Sequence, residues 1–233
     1  MPPTEAIAER RPPTEDIDVI AMRLGVAPER LVDIPLPGTA TQADWIAAVE
    51  RKAPLCEWVD GTLIRKAMGA REARLSAILI QFFGKAAERL AELRGVSSVY
   101  DILPGDGMVQ SGRNGRIPDV SVLCSSDWDD ERHRSIAPTP VLAVEVLSPT
   151  NTAREMATKR AEYFAAGVRE LWILDPELRQ AEIWSAVDRI TLVREPDGID
   201  ASVCFPGLKV PVDFRLTRRL SAEAEPLLAK MTA

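Results

Sequence analysis

Glu145 stands alone in an aliphatic run, Val141-Leu142-Ala143-Val144-Glu145-Val146-Leu147, that reads as a strand buried on both faces. A carboxylate in such a strand costs on the order of several kcal/mol unless something pairs with it. Asp119 opens the preceding strand-like segment, directly after Pro118. Side chains alternate along a strand, so Asp119, Ser121 and Leu123 share a face, as do Val141, Ala143, Glu145 and Leu147. On neighbouring strands the two acids would point into one cleft. Two carboxylates held together repel, and both lose acidity unless a cation lies between them. Magnesium or manganese suits that role, being hard, oxygen-seeking and content with two carboxylates plus waters and a substrate phosphate. The alternative is that each acid pairs with an arginine. Residue type alone favours arginine for Asp119 and a metal for Glu145.

Other chemistries have little to work with. The single histidine, His133, lies in the charged stretch Ser125–Arg134 and reads as a solvated loop residue. A serine triad, a cysteine–histidine pair or a histidine-rich zinc site would all need it. Cys56, Cys124 and Cys204 are isolated and odd in number, which suggests neither a disulfide framework nor a zinc–thiolate site. A two-carboxylate glycosidase is possible by residue type. At 5% aromatic content, however, no sugar-stacking cluster supports it.

The net charge of −6, from 29 Lys+Arg against 35 Asp+Glu, argues against an open, nonspecific nucleic-acid binder. It leaves room for an acidic site screened by a divalent ion. No run of about 18 apolar residues is present, and the N-terminus lacks the apolar centre of a secretory signal. The expected location is the cytoplasm.

The elements that must position the acids follow from periodicity. Residues 1–14, with four prolines, are expected to be disordered, 17–26 to form a short helix and 34–40 a linker. Thr41 or Asp44 could cap a helix over 41–51. Two alternating runs joined at Asp60-Gly61 predict a hairpin over 55–67. Leu75, Leu79, Phe82, Phe83, Ala86 and Leu90 form one apolar stripe of a helix over 70–94, stopped by Gly95.

Strands are expected at 96–104, 107–110 and 117–124, with 111–116 a turn and 125–134 a surface loop or lid. The Glu145 strand follows, then a helix over 152–166, a strand over 169–176, a further hairpin and a terminal strand or turn segment. Trp172 and Ile173 read as core. The fold class is α/β, a mixed central sheet flanked by helices.

The ordered string "RIPDVSVL", "LAVEVLSPTN" and "KRAEYFAAGVRELWILDP", with the early "EWVDGTLIRKA" and late "FPGLKVPVDF", resembles the Uma-type putative restriction endonuclease family of the PD-(D/E)XK nuclease superfamily. The resemblance runs over about 41–215. This leaves 1–40 as an N-terminal extension and 216–233 as a tail. It implies a restriction-endonuclease-like fold and Mg²⁺- or Mn²⁺-dependent hydrolysis of DNA phosphodiesters. Asp119 and Glu145 would be metal ligands, and the Val146 carbonyl a third.

The superfamily's simplest pattern puts lysine two residues after the acid, where Leu147 stands. In this family a helical lysine takes its place, here Lys159, with Tyr163 one turn on. As residue types alone, Lys159 reads as a surface partner of Glu155 and Tyr163 as packing. Glu72, early in the long helix, is the fourth candidate, either catalytic or simply a favourable acid near a helix start. Arg71, Arg74 and Arg116 could contact phosphate or be solvated. Duplex-cutting relatives imply a homodimer. A catalytically inactive binding or assembly module on the same fold is the competing function.

Overall fold

In a computed structural model of the chain, the described residues are 15–51, 55–105, 109–211 and 219–233, without the side chains of 219–223. The disorder expected for 1–14 lies outside them. Helix α1 (Ile17–Leu24) ends at Gly25, and α2 (Gln42–Glu50) begins at Thr41. Thr41 and Asp44 act there together, each side chain accepting from the other's backbone N–H. Strands β1 (Cys56–Val59) and β2 (Thr62–Arg65) form the expected hairpin. Asp60 and Gly61 at its turn have φ of 47° and 70°, the positive values a two-residue hairpin of this type demands. Helix α3 (Ala70–Arg94) follows, ended by Gly95 in the left-handed conformation.

Strands β3 (Tyr100–Pro104), β4 (Val109–Ser111), β5 (Asn114–Arg116), β6 (Val120–Cys124) and β7 (Leu142–Val146) lead to helix α4 (Ala153–Ala166). After it come β8 (Glu170–Asp175), β9 (Gln180–Ala186), β10 (Arg189–Arg194), β11 (Gly198–Asp200), β12 (Lys209–Pro211) and α5 (Arg219–Leu228).

The main sheet has six strands in the order β10-β9-β8-β7-β6-β3. It is mixed: β7 and β8 run parallel and the other neighbours antiparallel. Parallel neighbours need a long crossover, and α4 supplies it. One face packs Val120, Val122, Leu142, Val144 and Trp172 against Leu79, Phe82, Phe83 and Leu90 of α3. The other face sets Ala143, Leu171 and Ile173 against Met156 and Tyr163 of α4. Trp172 and Ile173 are therefore core, as their setting in the sequence implied.

A second sheet of four strands, β2-β1-β5-β4, lies beside the first. Strand β5 falls inside the stretch expected to be only a turn. It contains Gly115, whose missing side chain leaves room for the Trp45 ring. The run expected to be a linker is bound to the hairpin instead. Ala40 N donates to the Gly61 carbonyl at 2.7 Å, and Gly38 N to Thr62 Oγ1 at 3.0 Å. Ile20, Ala21, Val26 and Leu31 pack on Val59 and Ile64. The described part of the expected extension is thus fastened to the small sheet.

Candidate active site

Strand β6 meets β7 with Val120 opposite Val144 and Ser121 opposite Ala143. One further step in that register sets Asp119 opposite Glu145, on the face that carries Ala143 and is covered by α4. Asp119 is fixed at both carboxylate oxygens. Val146 N donates to Oδ2 at 2.6 Å, and the Lys66 ammonium pairs with Oδ1 at 2.8 Å while also donating to the Ile117 carbonyl.

Glu145 is held from α4. Tyr163 donates its hydroxyl to Oε1 at 2.6 Å, and Lys159 Nζ lies 3.3 Å from both oxygens. Lys159 and Tyr163 are four residues apart, so one helical face delivers both.

Lys159 has a second and closer carboxylate, Glu57 Oε1 of β1, at 2.9 Å. Glu57 Oε2 takes Arg116 Nη1 at 2.9 Å, and Arg116 Nε pairs with Glu162 of α4. The Ile117 amide donates to Glu57 Oε1 at 3.3 Å. Glu57 is wholly buried, and Arg116, Lys159, Asp119 and Glu145 are at most 4% exposed.

Burial opposes charge on Glu57, Glu145, Lys159 and Tyr163, and its balance against the neighbouring charges decides each outcome. For Glu57, Lys159, Arg116 and Lys66 together outweigh burial and hold the carboxyl well below the usual glutamate range. For Glu145, burial wins over Lys159 and Lys66, with Asp119 and Glu57 adding repulsion, and the carboxyl is pushed up. Burial likewise disfavours the Lys159 ammonium, but Glu145, Glu57 and Glu155 more than compensate and raise its affinity for the proton. Tyr163 is pushed well up by burial and then by the two glutamates, so it stays a hydroxyl donor.

The sequence model of the Uma2 family, described as "Putative restriction endonuclease", matches residues 43–213. The chain belongs to the Uma2 family. Among solved structures, one similar fold is that of a putative nuclease belonging to DUF820 from Anabaena variabilis ATCC 29413. It has 16% sequence identity and a TM-score of 0.56 over 70% of this chain and 92% of that one. The resemblance at that identity is one of fold, a mixed sheet with helices. No curated protein matches the chain.

The structure of this Uma2 chain brings Asp119, Glu145, Lys159 and Tyr163 together. Among the described residues, Glu72 is not joined to them by an ion pair. That carboxylate is buried and folds back over Gly69 at its own helix start. Val146 joins the cluster through its amide, which donates to Asp119.

The surface pair of Lys159 with Glu155 is absent. Glu155 instead takes both arms of Arg30, at 2.8 and 2.9 Å. A buried fork from a distant segment displaced the local i,i+4 partner. Arg116 is neither solvated nor open to phosphate, being enclosed by Glu57 and Glu162. Arg71 pairs on the surface with Glu177, and Arg74 is exposed. His133 accepts from Asp129 N within its own loop, at 2.9 Å.

Three members of the Uma2 cluster escaped the sequence reasoning, Glu57, Glu162 and Lys66. The available signal for Glu57 was the one that exposed Glu145, an acid between large apolar neighbours, Cys56 and Trp58. Lys66 gave none.

A divalent metal fits the donor set at Asp119 and Glu145. The carboxylates are hard and face each other, and a cation, the Lys66 ammonium, already stands against Asp119. Among the described residues no three His, Cys, Asp or Glu side chains form a full cage. An ion there would keep several waters, as magnesium does. No helix among the described residues is long and apolar enough to cross a membrane.

Proposed function

We propose that the chain is a metal-dependent endonuclease that hydrolyses phosphodiester bonds of DNA, with Asp119 and Glu145 as metal ligands. The observation that carries this reading is the register of β6 on β7, which sets two buried carboxylates face to face with Lys159 against one of them. Family membership supports the same class of reaction.

A bound Mg²⁺ or Mn²⁺ supplies Lewis-acid activation of water and neutralises charge on the phosphate. The chain's own groups do the rest. Val146 N fixes the rotamer of Asp119, and Tyr163 fixes that of Glu145. The carbonyl of Val146, which follows Glu145 in sequence and whose amide holds Asp119, is the proposed third oxygen ligand. Lys159 offers a fixed positive charge to the developing phosphorane, and Glu57 keeps that ammonium in place.

The enclosed, fully ion-paired state of the acids favours a second reading, a nuclease fold kept as a binding or assembly module. One experiment separates the two. Plasmid, linear duplex, single-stranded and branched DNA are incubated with the protein and Mg²⁺ or Mn²⁺, beside Asp119→Ala. Metal-dependent cleavage that the variant lacks supports the nuclease. Cutting no greater than that of the variant on every substrate refutes it and leaves the module.

A further inference from the structure

We propose that Lys66 is a built-in competitor of the metal: its ammonium occupies the acid pair in the metal-free protein, must leave when a divalent cation binds, and thereby sets the metal affinity. The proposal rests on the nuclease reading of the site and adds a residue that reading does not use.

The placement is specific. Lys66 and Asp119 side chains are both 4% exposed, with Nζ 2.8 Å from Oδ1, and Nζ also donates to the Ile117 carbonyl. Asp119 Oδ2 is taken by the Val146 amide, so the oxygen Lys66 covers is the one left to face a cation. The charge on Lys66 also favours the ionised forms of Glu145 and Glu57.

The two lysines of the cluster are held differently. Lys159 is gripped by Glu57 and Glu145 together, whereas Lys66 has one carboxylate and one carbonyl. Lys66 also has a way out. It directly follows β2, its neighbour Arg65 is exposed, and Met68 is 39% exposed, so its flexible stem can swing to water.

Charge balance points the same way. With all its groups ionised, the connected cluster holds Lys66, Lys159 and Arg116 against Asp119, Glu145, Glu57 and Glu162, one positive charge short of neutral. Exchanging a monovalent ammonium for a divalent ion makes it neutral, a favourable outcome for a dry site.

The test is calorimetric titration of MnCl₂ into the full chain, as wild type, Lys66→Gln, Lys66→Arg and Asp119→Ala. Lys66→Gln removes the competing charge and should bind Mn²⁺ about tenfold more tightly or better. Lys66→Arg keeps the charge and should bind no more tightly than wild type. Asp119→Ala should not bind.

Lys66→Gln also leaves Asp119 without its cation, so melting curves are recorded with and without Mn²⁺. The ion should raise the melting temperature of this variant more than that of wild type. Equal or weaker Mn²⁺ affinity in Lys66→Gln overturns the proposal, as does tighter binding in Lys66→Arg. The nuclease reading fails separately. Tighter binding by Lys66→Gln in a protein that cuts no DNA keeps the competitor and removes the enzyme. Cleavage by wild type with no gain in Lys66→Gln does the reverse.

Discussion

Glu57→Gln is the substitution that probes the cluster most directly. It preserves shape and removes only the charge that joins Lys159 of α4 to Arg116 of β5. Both cations would keep one carboxylate each, Glu145 and Glu162, in a setting with almost no water. Removing one partner of a buried pair typically costs about 3–5 kcal/mol, and the retained amide oxygen places the expected loss near the lower bound, about 3 kcal/mol. That is a large share of the roughly 5–15 kcal/mol that holds an ordinary domain together.

Glu145→Gln is the contrasting case. Its carboxyl is pushed up by burial, so the folded state disfavours its ionised form, and a neutral isostere should cost no more than about 1 kcal/mol. The pairing with Lys159 tempers the gain that two bare, repelling acids would have implied.

The pH dependence has opposite signs at the two positions. The depressed Glu57 contributes stability above its ordinary value of 4.5 that is lost as pH falls toward the folded value. The raised Glu145 contributes stability when protonated, present below 4.5 and lost as pH rises through its folded value. Urea unfolding followed by tryptophan fluorescence, at neutral pH and in an acid series, reads both; Trp58 beside Glu57 is a buried reporter. The wild type should lose stability below pH 4.5 more steeply than Glu57→Gln. Equal midpoints for the two variants at neutral pH would refute the asymmetry, and with it this account of which acid the cluster needs ionised.

Two further substitutions test the packing around the site. Arg30→Gln strips the fork from Glu155, which is 1% exposed, leaving Asn151 as its remaining side-chain donor at 3.1 Å. A loss of about 3 kcal/mol in urea unfolding is expected, and less than about 1 would show that the N-terminal segment is not fastened to α4. Gly115→Ala drives a methyl into the Trp45 ring and should cost about 1–3 kcal/mol by the same assay. Gly84→Ala, where an added methyl meets nothing within 4 Å on a helix interior, should instead gain about 0.5–1 kcal/mol.

What the sequence revealed and what it hid have the same physical origin. Glu145 was legible because one charge in an aliphatic run violates local expectation. Its relation to Asp119 was legible because strand periodicity is local too, and the register of β6 on β7 needed only that they be neighbours. The helices α3 and α4 were legible from stripe, cap and glycine stop.

Glu57 was hidden by the same periodicity. In a four-residue strand an acid between Cys56 and Trp58 looks like the outward half of an alternation, until β5 pairs beside β1 and closes over it. Lys159 was misdirected by the helical i,i+4 rule. Its nominal partner Glu155 is taken by Arg30, 125 residues away, a choice no local pattern encodes. Strand β5 was missed because Asn-Gly signals a turn and three residues are too few to show an alternation. In each case the deciding contact is long-range, and such contacts leave no period in the sequence.

The double attachment of Glu57 bears on how this chain can change over evolutionary time. Lys159, Arg116 and Glu162 are linked through it, so a substitution at one alters the cost of substitution at the others. Losing Glu57 first leaves two buried cations under-compensated, whereas losing Lys159 first leaves Glu57 with Arg116 still in place. The order of mutations therefore matters as much as their identity. A lineage dismantling this cluster would shed the lysine before the glutamate, and a lineage keeping the glutamate alone would record that history in its core.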